Sequence, residues 1–178
     1  MLWFIYTTID DQTYETLMPS IVVIAHNIRS TYNVGSIFRT CEGFGVKQII
    51  LSGYTPYPKV KNDPRLPHIA DKITRQIHKT ALGAEELVSF AHYETLDLSC
   101  PELAEYRLVA LEQSPHSITL SEYTPPSNIA LVIGEEVNGI DPELLGRCDD
   151  SIEIPMHGQK ESFNVSVATG IALYALTK

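Results

Sequence analysis

Apolar residues fall along the chain in short β-branched runs separated by stretches of helical spacing. Residues 20–27 (SIVVIAHN), 46–53 (VKQIILSG), 106–113 (YRLVALEQ), 128–134 (NIALVIG) and 151–154 (SIEI) have the length and makeup of buried strands. After the first, Ile37, Cys41 and Phe44 recur at helical spacing, and Gly43 and Gly45 supply a stop. Further helices are expected around DKITRQIHKTAL and over residues 84–89. FAHYE (90–94) has room only for a short strand. Asp141 with Pro142 reads as an N-cap followed by the first helical position of PELLGRC. A last helix runs from about Asn164 to Leu176. Residues 54–66 hold Pro56, Pro58 and Pro64 among basic residues and predict an exposed loop, longer than a connection needs.

Strand-like runs alternating with helices predict an α/β fold with a mostly parallel sheet flanked by helices, apolar on both faces. The sequence shows no internal repeat, low-complexity segment or interior linker. Residues 21–178 read as a single domain. Residues 1–20 read as an N-terminal extension or an extra strand.

Composition narrows the function classes. The chain has 178 residues and a hydrophobic fraction of 44%, ordinary for a globular domain. No apolar run approaches the roughly 20 residues of a membrane span. The N-terminus lacks the basic region of a signal peptide. Cys41, Cys100 and Cys148 form no CxxC pair and no Cys/His ligand set, so a reduced, cytoplasmic protein without a metal is the simplest expectation. Net charge is −9, which taken whole argues against nucleic acid. The distribution reverses that. From His26 to Lys79 the chain carries nine basic and three acidic residues, a local charge of +6 against −15 elsewhere. The plainer alternative is a solvated basic face.

Ligands of open α/β sheets bind beyond the carboxyl ends of strands, and three loops there hold candidate chemistry. In HNIRSTYNVGSIFRT, Gly35 permits close backbone approach at a helix start, whose free N–H groups attract phosphate, and Arg39 suits a phosphate or carboxylate. Asn33 there fits equally as a plain helix cap. In LVIGEEVNGID, Gly134 and Gly139 bracket Glu135 and Glu136, and the loop can wrap a ligand or simply turn. In IPMHGQKESFNVS, Gly158 makes a bend, and Ser162 or Asn164 caps the last helix. GFGVKQ fails the dinucleotide pattern at Gln48, and neither a P-loop nor G-x-S-x-G occurs.

In order and spacing the three loops resemble the motifs of SPOUT-class methyltransferases, specifically the SpoU/TrmH-like RNA ribose 2′-O-methyltransferases. The first motif, NxGxxxRT, is matched from Asn33 to Thr40. The second, GNExxGI, is matched from Gly134 to Ile140. The third, IPMxGxxxSLNVSVA, is matched from Ile154 to Ala168. KTALGAE (79–85) is similar to a connecting segment of the family. Glu135 stands where the second motif has Asn, and Phe163 where the third has Leu. The first departure adds charge near a cofactor contact; the second keeps an apolar anchor.

The resemblance implies a C-terminal deep trefoil knot, which the pattern itself does not show and general rules disfavour. It implies a homodimer that binds S-adenosyl-L-methionine and methylates a ribose 2′-hydroxyl of tRNA or rRNA. Carried over by position, Leu111, Glu112, Gly134, Ile154, Met156, Ser162 and Asn164 line the cofactor pocket. Asn33, Arg39, Glu136, Ser162 and Asn164 match catalytic or supporting positions, with Arg39 serving the other subunit's cofactor and Asn33 holding Arg39 or the ribose. Phosphates are expected at motif one and the Pro-rich loop. The alternative is a non-catalytic relative that binds cofactor and RNA without turnover.

Overall fold

The computed structural model describes residues 19–178; of the extension or extra strand expected over residues 1–20, residues 1–18 lie outside them and Ser20 already belongs to the first strand. A seven-stranded sheet forms the centre, in the order β3-β2-β1-β6-β4-β7-β5. Its strands are β1 (Ser20–His26), β2 (Gln48–Ser52), β3 (Phe90–Tyr93), β4 (Arg107–Leu111), β5 (Ile118–Thr119), β6 (Asn128–Ile133) and β7 (Asp150–Glu153). Every neighbouring pair is parallel. The helices are α1 (Thr31–Gly43), α2 (Pro67–Ala81), α3 (Ala84–Leu87), α4 (Pro142–Leu145) and α5 (Val165–Leu176).

The five predicted strands and the short sixth expected over residues 90–94 are all present. The sequence pattern missed β5, whose two residues are too short to show a period, and a single 3-10 turn at Pro101–Leu103. Asp141 caps α4, its side chain accepting from the Leu144 amide. The cysteines are free. Among the described residues no helix is long and apolar enough to cross a membrane.

Central strands are apolar on both faces because both are covered. On one face Ile21, Val23, Ala25, Leu131 and Ile133 pack against Val34, Ile37 and Phe38 of α1 and Leu173 and Leu176 of α5. On the other, Val22, Ile24 and Val132 meet Leu98, Leu103, Ile140 and Leu144. At about 25 cal/mol per Å2 of apolar surface removed from water, such burial is the main force holding the layers together.

The order of strands fixes where a ligand can enter. After β1 the chain departs toward β2; after β6, its parallel neighbour, it departs toward β7 on the other side. The two loops part at their strand ends and open a crevice, the switch point at which open α/β sheets bind ligands.

One motif glycine has a packing role that its sequence context did not reveal. A Cβ at Gly35 would lie 2.2 Å from the Ile77 carbonyl oxygen and 2.2 Å from Thr80 Oγ1. Gly35 is therefore needed where α1 crosses α2, and the close approach expected of a phosphate is made by a helix. Gly35→Ala must force these helices apart. The expected cost is about 2–3 kcal/mol, read in thermal unfolding as a fall in Tm of roughly 5–10 °C.

Candidate active site

Glu136 organises the crevice. Its Oε2 accepts the Arg29 amide at 3.1 Å, and its Oε1 accepts the Ser30 amide at 3.1 Å and Asn33 Nδ2 at 2.9 Å. The loop after β6 is thereby tied to the loop after β1. Burial pushes the Glu136 pKa up, but donation from the Arg29 amide, the Asn33 side chain and the Ser30 amide outweighs it and holds the group below its ordinary value. Glu136 is an anchored carboxylate at neutral pH. The two amides just before α1, those of Arg29 and Ser30, are thus given to this carboxylate. The helix cap is Ser30, whose hydroxyl accepts the Asn33 amide at 3.3 Å, rather than Asn33.

The third loop joins the same network. Asn164 Nδ2 donates to Asn33 Oδ1 at 3.1 Å. Asn164 Oδ1 meanwhile accepts the Ser166 amide at 2.9 Å and caps α5. The capping and site-forming roles weighed for Asn164 are thus both present on one side chain. The segment between β7 and α5 also crosses the loop after β4, where Gln113 Nε2 donates to the Glu161 carbonyl at 2.8 Å.

Together these loops enclose a cleft of about 220 Å3, with a wall of Leu111, Glu112, Ile133, Gly134, Ile154, Ser162, Phe163, Val165 and the loop from Glu135 to Gly139. Of the residues expected at the cofactor pocket, Leu111, Glu112, Gly134, Ile154 and Ser162 line this cleft, as does Glu136. Met156 is half-buried and does not line it, and Asn164 stands behind it in the Asn33 network. Arg39 is exposed on α1 and is not brought to this cleft. Asn33 bonds Glu136 and Asn164, so the pairing of Asn33 with Arg39 is absent. Six residues along a helix place two side chains about 240° apart in rotation, on different faces.

Motif two is a closed turn. Glu135 and Gly139 form an antiparallel bridge, with amide–carbonyl bonds of 3.0 Å in each direction. A Cβ at Gly134 would meet the Gly139 carbonyl at 2.4 Å, and one at Gly139, whose φ is 69°, would meet Glu112 Oε2 at 2.2 Å. The Glu112 carboxylate is itself used to fasten this turn, accepting the Ile140 amide at 2.7 Å.

Sequence reasoning missed Arg29, which answers the question raised by Glu135. Arg29 Nη2 lies 2.8 Å from Glu135 Oε1, and Asn138 Nδ2 donates to Glu135 Oε2. The additional acid of this chain is thus paired across the crevice. The signal was an Arg four residues before Asn33, but nothing in sequence links it to a residue more than a hundred positions away. The corner leading to Arg29 was also hidden. Asn27, at φ 59°, accepts the Tyr54 amide on Oδ1 and presents Nδ2 to His26 Nε2 at 3.0 Å. His26 Nε2 must therefore accept, and Nδ1–H donates to Ser52 Oγ at 2.9 Å. Burial lowers the His26 pKa against the opposing pull of Asp141, in keeping with this neutral ring.

Glu136→Gln should therefore loosen all three loops and cost about 2–3 kcal/mol of stability. The sign of the pH dependence follows from the depressed pKa. The carboxylate's contribution is complete above its ordinary value of 4.5 and is lost as pH falls through the lower folded value. Urea unfolding of both proteins should show a deficit that is constant from about pH 8 to pH 5 and shrinks below about pH 4.

Comparison with known proteins agrees with this geometry. Residues 20–174 match the model of the SpoU rRNA Methylase family. The chain is 32% identical over 170 residues to the tRNA (guanosine(18)-2′-O)-methyltransferase of Aquifex aeolicus, covering 92% of this chain and 71% of that protein. It is 29% identical over 161 residues to the 23S rRNA (guanosine-2′-O-)-methyltransferase RlmB of Coxiella burnetii, covering 90% of this chain and 59% of that one. Among solved structures, the A. aeolicus TrmH/SpoU tRNA modifying enzyme superposes with a TM-score of 0.68 at 26% identity, over 92% of this chain and 78% of the other. The AdoMet-bound rRNA methyltransferase of Sinorhizobium meliloti shares the fold, with a TM-score of 0.72 at 23% identity over 92% of this chain and 59% of that one. With its three motif loops closed on one crevice and the family's model matched over nearly all the described residues, the chain belongs to the SpoU rRNA Methylase family.

Proposed function

We propose that residues 21–178 act as one methyltransferase domain that uses S-adenosyl-L-methionine to methylate a ribose 2′-hydroxyl of tRNA or rRNA in the cytoplasm. The observation that carries this reading is the convergence of Glu136, Asn33 and Asn164, one from each motif loop, around a single cleft. The relatives named above act on guanosine 2′-hydroxyls in tRNA and 23S rRNA.

The cleft suits such a cofactor chemically. Leu111, Ile133, Ile154 and Val165 offer apolar surface to a purine and a thioether chain. Its charged lining is acidic, with Glu112, Glu135, Glu136 and Glu153 and no Lys or Arg, which favours a ligand bearing a sulfonium and an ammonium group. When bound, S-adenosylmethionine supplies an electrophilic methyl group, so the protein's work is alignment and proton removal.

Glu136 is not the base, because three donors hold it ionised and engaged. Its work is to fix Asn33 at the cleft's edge. Asn33 and Ser162 orient the ribose. Arginine does not give up its proton in proteins, so Arg39 clamps the adjacent phosphate, and that phosphate or water takes the hydroxyl proton. Because Arg39 is exposed away from its own cleft, it serves the cleft of a second copy in a homodimer. The exposed Val167 and Tyr174 of α5 offer apolar surface for that contact. The return of the chain from β7 across Gln113 to Asn33 supports the trefoil threading that the resemblance implies.

Incorporation of tritiated methyl into RNA, with calorimetry of cofactor binding, tests the reading. Arg39→Ala should abolish transfer and leave cofactor affinity within about twofold. Cofactor binding without transfer by the unmodified protein would instead establish the non-catalytic alternative. If the site is shared, mixing Arg39→Ala subunits with subunits blocked at the cofactor turn, Gly139→Val, should restore about a quarter of normal activity through hybrid dimers. No recovery on mixing would place Arg39 in its own subunit's reaction.

A further inference from the structure

Apart from Arg39 on α1, the basic residues between His26 and Lys79 fall in the loops and strand approaches or on α2. Three of the four in the loops are already neutralised, Arg29 by Glu135, Lys59 by Asp71, and Arg65 by Asp63, while exposed Lys61 stands alone. The Pro-rich loop is also fixed from within. Arg65 lies over the Tyr57 ring at 3.5 Å, and Tyr57 stacks on His92 at 3.9 Å. Lys47 sits at the opposite end of the sheet, before β2, where it donates to the Tyr106 hydroxyl at 3.0 Å. The Pro-rich loop expected to receive phosphates therefore spends two of its three cations on its own fold.

Lys72, Arg75 and Lys79 of α2 form the second group. All three are exposed, and none has a carboxylate partner among the described residues. Spacings of three and four residues put them within about 60° of arc on one face, over a length of about 10 Å. The only acid in α2, Asp71, is paired with Lys59. Three unpaired cations in a row repel one another, and a solvated face gains nothing from their alignment.

This stripe also leads to the cleft. The turn bearing Lys79 abuts the start of α1: Thr80 Oγ1 donates to the Tyr32 carbonyl at 2.8 Å, one residue before Asn33. The tight crossing at Gly35 holds the two helices in that relation. The acidic cleft itself repels phosphate, so an RNA whose ribose enters it needs its backbone held from outside.

We propose that Lys72, Arg75 and Lys79 form a track that binds the phosphodiester backbone of the substrate RNA beside the cleft, an assignment that rests on the RNA reading above. Its length matches about three nucleotides of one strand at 3.4 Å rise.

The test replaces all three by Ala in the full chain and measures filter binding to total tRNA and total rRNA between 50 and 200 mM salt. Thermal unfolding and cofactor calorimetry serve as checks that fold and cleft persist. The dependence of log affinity on log salt should flatten by about 2–3 units. Lys47→Ala, from the same stretch of sequence, should leave the dependence unchanged. In methyl transfer the triple variant should raise KM for RNA at least tenfold, with kcat within about twofold. Unmodified protein that binds RNA but transfers no methyl would overturn the enzymatic reading while the salt dependence still decides the track. A triple variant with unchanged affinity and salt dependence overturns the track alone. Failure of the unmodified protein to bind either RNA overturns both.

Discussion

A carboxylate accepting three hydrogen bonds at the parting of two parallel strands is the constraint on which the site depends. β1 and β6 lie side by side, yet their loops leave in opposite directions, and sheet hydrogen bonding ends there. Glu136 bridges that gap with charge-assisted bonds to two amides and one side chain. Such bonds are roughly twice as strong as neutral ones, and the group's depressed pKa is the thermodynamic trace of that. Asn33 then inherits a fixed orientation: with its amide nitrogen given to Glu136, its oxygen must accept, and Asn164 supplies the donor.

Charge is partitioned around this centre. Acids line the cleft, paired cations stiffen the surrounding loops, and three unpaired cations stand in line on α2. A net charge of −9 conceals the arrangement, because the quantity that matters is the sign at each place and whether a partner already cancels it. Glu135 illustrates the point. As a bare substitution it places unwanted charge beside a cofactor; with Arg29 at 2.8 Å it becomes one half of a clasp.

The fold was legible because buried parallel strands are continuous apolar runs, and those runs recur between helical periods. The site was legible in part. The motif loops could be found, and Gly134, Glu136, Ser162 and Ile154 do meet at the cleft. What each residue touches was not legible. Gly35 read as a place for phosphate, yet the neighbour that excludes a side chain there is α2. Asn33 read as a cap or as a holder of Arg39 or the ribose, yet Ser30 caps, and the side-chain partners of Asn33 within the chain are Glu136 and Asn164. Arg29 and β5 left no usable signal, one because its partner lies far along the chain and the other because two residues show no period. Local pattern reports an element's type and face; pairing across 103 or 131 residues is set by the sheet order.

The link from Asn164 to Asn33 also orders events in time. A chain emerging from the ribosome releases β1 and α1 early, but the side chain that completes the Asn33 network belongs to the start of the last helix. Asn164 is positioned by Ser166 and by the seating of α5 on α1. Until that helix has left the exit tunnel and docked, the cleft lacks its third wall. The cleft is thereby closed only after residue 165 has been made, and a chain that stops before Ser162 lacks Ser162, Phe163 and Val165 from its wall and Asn164 from the Asn33 network.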